Sequence, residues 1–244
     1  MMFEYKKLND LAGWTAFLIS LIVYSITVED TASFWDAGEF IAVSSKLEVP
    51  HPPGAPFYLL LGRFFSMFAF GVPENIAIAI NFLSVVSSAF TILFLFWTIT
   101  YLASKIIDPK LNNDNKVLVI LAGFIGSLSF TFTDSFWFSA VESEVYAMSS
   151  FFTAFVFWAI LKWESLDDEK DQNKWIILIA YMMGLSIGVH LLNLVTIPAL
   201  ALIIYFKKFK EVTFRGIVIS LFLGLISVGL IVEGIIPGIP TLAN

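Results

Sequence analysis

Apolar runs too long for a soluble core dominate this chain. They fall at about residues 11–28, 57–70, 76–104, 117–133, 147–161, 175–206 and 216–236. A helix rises about 1.5 Å per residue, so crossing a bilayer takes about 20 apolar residues. Hydrocarbon offers the backbone no hydrogen bonds, which leaves helices or closed barrels as spanning structures. The alternating ten-residue segments of a barrel are absent, and the expected fold is an all-α integral membrane bundle. Composition agrees: 14% of residues are charged and 58% hydrophobic, where soluble domains carry about 25% charged residues. The chain has no cysteine, which excludes disulfides and thiolate chemistry, and its two histidines make a zinc site a poor expectation. A net charge of −6 excludes nucleic acid as a natural partner.

Lysine and arginine set the expected topology. Lys6 and Lys7 precede the first run, which is followed by Glu29 and Asp30 rather than by a small-residue cleavage site, so it reads as an uncleaved first span. The run 57–70 is short and holds Gly62 and Arg63, which suits a helix at the membrane interface. The run 175–206 would be about 48 Å long as one helix. Lysines at 162, 170 and 174 lie before it and lysines at 207, 208 and 210 after it. Placing both clusters in the cytoplasm requires a hairpin that turns near residues 188–193. The result is about seven spans with the N-terminus inside. Segments 1–10, 105–116, 162–174 and 207–215 are then cytoplasmic and hold twelve of the fourteen basic residues. The outer side holds ten acids against Lys46 and Arg63.

The outer segments carry the candidate chemistry. Asp36 and Glu39, three apart, share a face if helical. Two close carboxylates push one pKa up and leave the other a usable base, although two acids in a solvated loop or at a helix N-terminus have the same spacing. His51 opens the stiff segment His51-Pro52-Pro53-Gly54-Ala55-Pro56, which either aims His51 and Arg63 at one cavity or only returns the chain to the membrane. Arg63 suits a phosphate, and also a lipid headgroup. Glu142, Glu144 and Tyr146 follow the third span. In a helix Glu142 and Glu144 would diverge by about 200°, so only one would face a cavity, and Glu142 would share its face with Tyr146. They serve equally as an acidic cap on the next helix. His190 and Asn193 fall at the hairpin turn, as cavity groups or as groups that close the turn. Asn81 reads as a helix–helix hydrogen bond, and Glu233 as a cavity or interfacial residue.

Three motifs then carry a resemblance. FWDAGEFIAVSSKLEVPHPPGAPFYLLLGRFF, FWFSAVESEVYAMS and GVHLLNLVTIP resemble, in order, the glycosyltransferase family 117 membrane proteins, formerly a domain of unknown function and related to protein O-mannosyltransferases. The resemblance implies a GT-C fold, with residues 29–75 as a catalytic outer loop with interfacial helices. It implies inverting transfer of a sugar, expected to be mannose, from a polyprenyl-phosphate donor to a protein Ser or Thr hydroxyl. By this analogy Asp36 and Glu39 are catalytic, with Asp36 the first candidate for the base although the motif does not assign it, and His51 and Arg63 meet the donor phosphate. Glu142, Glu144 and Tyr146 line the cavity, supported by His190 and Asn193. No cofactor is required, and the acids leave room for a divalent metal. The expected partners are the lipid-linked donor, an acceptor protein and membrane lipids, and the expected location is the bacterial inner membrane with the site on its outer face. Members of the family are longer, so residues 1–244 are expected to form one N-terminal module, a fragment or a reduced form. The competing reading is a non-catalytic scaffold that binds lipid phosphate, or a transporter. A transporter should hold charges at mid-membrane, whereas these gather on one face.

Overall fold

The computed structural model describes residues 2–242 apart from 53, 110 and 111. Pro53 and Lys110, which enter the reading of the proline-rich segment and of the lysine clusters, lie outside the described residues. Among the described residues no strand occurs. The helices are α1 (Met2–Ile26), α2 (Ala37–Lys46), α3 (Pro56–Ser66), α4 (Ile76–Ile106), α5 (Asn113–Thr131), α6 (Asp134–Ala140), α7 (Val145–Glu164), α8 (Glu169–Ile187), α9 (Ile197–Lys208), α10 (Phe214–Gly229) and α11 (Ile236–Leu242).

Six helical stretches are long and apolar enough to cross a membrane: Tyr5–Ile26, Pro73–Ile106, Asn113–Thr131, Val145–Glu164, Leu191–Lys208 and Phe214–Gly238. The fold is therefore a helical membrane bundle. Helix α3 with its 3-10 extension, Pro56–Ala69, is apolar but short, in keeping with a non-spanning role. The expected hairpin forms. Helix α8 ends at Gly188, the amides of Val189 and His190 bond the Ser186 carbonyl at 3.0 and 2.9 Å, and a 3-10 segment (Leu191–Thr196) leads into α9. At the far end of α9 the Lys207 ammonium donates to the Trp163 and Glu164 carbonyls at 2.9 and 2.7 Å. The chain has gone out along α8 and come back along α9. Helix α8 lacks the composition of the other six because its first turns hold Glu169, Lys170, Asp171 and Lys174. The C-terminal end of the last span widens into a π-helical turn, Leu230–Ile235, on which Glu233 is exposed.

Helix α4 is the axis of the bundle and packs against α1, α5 and α7. Within its most apolar 18 residues 72% are buried, against 11% in the last span. Its buried face mixes Ile80, Leu83, Ile92 and Phe96 with Ser84, Ser88, Ala89 and Thr91. Small residues let neighbouring backbones approach where lipid supplies no hydrophobic drive. The charges sort to two ends. Lys105 pairs with Glu164 at 3.2 Å, joining the ends of α4 and α7. At the other end the Glu29 amide donates to the Val141 carbonyl at 3.0 Å, and the Phe57 amide to the Gly188 carbonyl at 2.8 Å. Segments 29–57, 141–146 and 188–190 thus meet at the end that lacks the lysine clusters.

Candidate functional site

The site begins with the way α2 ends. Leu47 takes a left-handed conformation at φ 55° and ψ 46°, and the Glu48 amide closes back on the Val43 carbonyl at 2.9 Å. This reverses the chain. The described residues between Leu47 and Pro56 run back along α2, Gly54 adopts φ 72°, and Pro56 starts α3 at its first turn, where a missing N–H costs nothing. Helix α3 therefore runs parallel to α2. Tyr58 packs on Phe40 at 5.3 Å between ring centres near the start of both helices. Gly62 sits against Ser44 near their far end.

The returning loop delivers His51 to the start of α2. Both Glu39 oxygens are engaged: one accepts from the His51 backbone N–H at 2.7 Å, the other from Nδ1 at 2.8 Å. The opposite ring nitrogen, Nε2, lies 3.9 Å from the Asp36 carboxylate. The Glu39 bond and charge hold the His51 pKa above its usual value, with smaller help from Asp36 and Glu144, and the same bond holds Glu39 below its own. The ring donates from Nδ1 to Glu39, while Nε2 faces Asp36 beyond hydrogen-bond reach, and both carboxylates favour the protonated ring. Asp36 is the N-cap residue of α2 rather than part of the helix, so it meets Glu39 through His51. The ligand atoms of Asp36, Glu39 and His51 lie within 4.8 Å of one another.

Two adjoining hollows share this corner. One is lined by Asp36, His51, Glu144, Tyr146 and His190, with Phe40 and Val189 as its apolar wall. The other is lined by Trp35, Asp36, Phe138, Glu142, Glu144 and Tyr146. Asp36, Glu144 and Tyr146 border both. Trp35 holds φ +57°, an unusual backbone for a bulky residue, and its side chain is 87% exposed at the rim.

Glu142 and Glu144 correct the helical expectation. They sit in the bent, non-helical link between α6 and α7, where the Glu144 amide turns back on the Glu142 carbonyl at 3.0 Å and both side chains face one hollow. Both are buried. Glu142 accepts a hydrogen bond from the Ser33 hydroxyl. Burial raises its pKa, the Ser33 bond opposes that, and Glu29 adds to it. Burial pushes the Glu144 carboxyl up to about 7, helped by repulsion from Glu142 and Asp36 and opposed by the Val145 and Asp36 amides. A carboxyl that shares a hollow with a second carboxyl and titrates near neutrality can hold or release a proton under working conditions.

The hairpin turn supplies the remaining wall. His190 caps the 3-10 segment by accepting the Leu192 N–H on Nδ1 at 3.1 Å, which leaves the proton of the neutral ring on Nε2. Burial lowers its pKa, and it packs against Tyr146 at 5.5 Å. Asn193 is fully buried beneath and donates to the Ser186 hydroxyl at 2.8 Å, so it closes the turn and does not line the hollow with His190.

Arg63 is not brought to His51. Its guanidinium donates to the Ser45 carbonyl at 2.6 Å, at the far end of α2. Because α2 and α3 are parallel, seven residues of α3 carry Arg63 about 10 Å along from Pro56, away from the corner where His51 lies. Asn81 departs from its expectation too. It bonds loops rather than a second helix: Nδ2 donates to the Glu29 and Thr31 carbonyls at 2.7 and 3.2 Å, and its oxygen accepts from the Ser143 hydroxyl. It fastens both acid-bearing segments to α4. Ser33, Trp35 and Phe138 also belong to the site and carry no spacing that marks them in the sequence.

The comparisons with known proteins bear on this same region. The family model described as "Protein O-mannosyl-transferase TMEM260 N-terminal domain" matches residues 36–213, from Asp36 through every residue that lines the two hollows except Trp35. The chain is similar to protein O-mannosyl-transferase tmem260 of Dictyostelium discoideum, 31% identical over 156 residues, which are 62% of this chain and 17% of that protein. It is also similar to protein O-mannosyl-transferase TMEM260 of Mus musculus, 25% identical over 166 residues, which are 68% of this chain and 21% of that protein. The chain thus spans about a fifth of the length of the curated relatives it matches. No solved structure matches it. With the model covering most of its length, including the acidic corner, the chain belongs to the family of the protein O-mannosyl-transferase TMEM260 N-terminal domain.

Proposed function

We propose that this chain carries the catalytic corner of a GT-C type protein O-mannosyltransferase. The observation that supports it best is that Asp36 and Glu144 border two joined hollows, with His51 at one side. The donor in this reading is a mannose on a polyprenyl phosphate, and the acceptor is a protein Ser or Thr hydroxyl. Asp36 takes the hydroxyl proton as the oxygen attacks the anomeric carbon. The carbon–oxygen bond to the phosphate breaks with inversion, and the polyprenyl phosphate leaves with the negative charge. His51, held as an imidazolium by Glu39, meets that charge. Glu144 keeps its proton near neutrality, so Asp36 is not faced by a second full negative charge. Asp36, Glu39 and His51 are also the donor set that a divalent cation would use, and a chelator added to the assay below reads that role.

Arg63 has no place at this phosphate, since its guanidinium is committed to the end of α2. The donor tail lies in the membrane, which is consistent with a site on the rim of the bundle. We read that rim as the non-cytoplasmic face of the membrane, because the lysine segments gather at the other end.

The test is incubation of the purified protein with lipid-phosphate mannose and Ser/Thr peptides, with the product read by mass. Mannosylated peptide is expected, and Asp36→Asn should abolish it while the protein remains folded. Full activity in that variant removes Asp36 as the base. Saturable donor binding without product from the wild type would leave a lipid-phosphate scaffold in place of an enzyme.

A further inference from the structure

At the lysine-bearing end of the bundle a separate cavity opens between α1, α4 and α7. Lys6 reaches it from α1 and Lys162 from α7. Neither ammonium forms an ion pair or a hydrogen bond among the described residues. Among the described residues Asp10 is the one acid in the lining. Tyr101, from α4, has its hydroxyl committed to Glu164, and Lys105 is paired with that same carboxylate. Among the described residues the unpaired charge facing the cavity is therefore two ammonium groups against one carboxylate.

The polar atoms inside are also incomplete. Trp97 Nε1–H and Asn9 Oδ1 are shielded from solvent and have no hydrogen-bond partner. Gly13 explains how the indole gets there. A Cβ at that position would lie 2.4 Å from Trp97 Nε1, so only glycine lets the ring rest on the α1 backbone. A buried donor or acceptor left unpaired costs about 1–3 kcal/mol. Both belong to residues that line the cavity beside the two ammonium groups, so a ligand that shifts the packing over them would complete both.

We propose that this cavity binds a phosphate that carries a hydroxylated substituent, as in a glycerol phosphate headgroup. The phosphate oxygens take Lys6, Lys162 and the indole N–H, and a headgroup hydroxyl donates to Asn9. Basic pockets between spans on the lysine-rich side are where anionic headgroups bind. The site is distinct from the acidic hollows and does not depend on the reading of those hollows as a transferase. Lysines that merely snorkel to bulk headgroups would give no saturation and no dependence on Trp97.

The experiment adds phosphatidylglycerol, phosphatidylcholine or soluble glycerol phosphate to the full chain in detergent. Stoichiometry is read by native mass spectrometry and affinity by tryptophan emission, because Trp97 and Trp158 line the cavity. One phosphatidylglycerol per chain is expected, with at least tenfold weaker binding in Lys6→Gln/Lys162→Gln. Trp97→Phe, which keeps the ring and removes the N–H, should also weaken it. It serves together with Lys162→Gln alone if the double variant does not fold. Competition by soluble glycerol phosphate assigns the site to a free ligand, and none assigns it to the lipid. Equal binding of phosphatidylcholine, or unchanged affinity in every folded variant, overturns the site.

Discussion

Glu144→Gln isolates what one buried carboxyl does to stability. In the unfolded chain Glu144 titrates near 4.5, and in the folded protein near 7. Below about 4.5 the group is protonated in both states and contributes no difference. As pH rises from there toward 7, the unfolded chain releases the proton and the folded protein holds it. The folded state therefore loses stability over that window, and the loss is complete above it. A tenfold change in proton affinity corresponds to about 1.4 kcal/mol, so the full loss approaches about 3 kcal/mol, an upper limit because the carboxylate borders two open hollows. Glutamine keeps the shape and does not titrate. Its advantage over the wild type should be near zero at pH 4 and rise to at most about 3 kcal/mol at pH 8. For a chain of this length that is at most about 6–12 °C in Tm, measurable by thermal unfolding in detergent across a pH series. A gap that does not change with pH, or a wild type that is the more stable at pH 8, would refute the burial argument.

Three other perturbations probe the geometry. Asn81→Leu removes the bonds to the Glu29 and Thr31 carbonyls and leaves the buried Ser143 hydroxyl without its acceptor; a loss of about 1–3 kcal/mol should appear in thermal unfolding. In Gly62→Ala the new methyl would stand 2.6 Å from Ser44 Oγ and 2.8 Å from its Cβ, so α2 and α3 must part at a cost of about 1–3 kcal/mol, and an unchanged Tm would deny their close contact. Glu39→Gln withdraws the charge that raises the His51 pKa. The His51 ring, followed by NMR against pH, should titrate lower than in the wild type, and an identical curve would show that Glu39 does not govern it.

Much of this arrangement is readable in the residues. The lysines on either side of 175–206 require a hairpin, and the contacts of Lys207 show the return. The three-residue spacing of Asp36 and Glu39 and the prolines after His51 mark the corner, because stiff backbone and paired acids act locally. Arg63 is different, because nothing in a sequence tells whether two successive short helices run parallel or antiparallel. Glu142 and Glu144 diverge only under a helical periodicity, and in the fold that periodicity starts at Val145. Asn81 looks like one more polar residue within a span. Its partners lie 50 and more residues away in loops, and such pairing leaves no local pattern.

The way the chain doubles back between Leu47 and Pro56 has a consequence for how this region tolerates change. Surface loops usually accept added or missing residues with little effect. Here the loop is a measuring rod laid against α2: its length sets how far His51 travels before α3 can begin. One residue more or fewer would slide the imidazole off the Glu39 carboxylate or pull Pro56 away from its seat by Gly188. In this segment length is held as tightly as chemistry, and insertions should do as much harm as replacing the histidine itself.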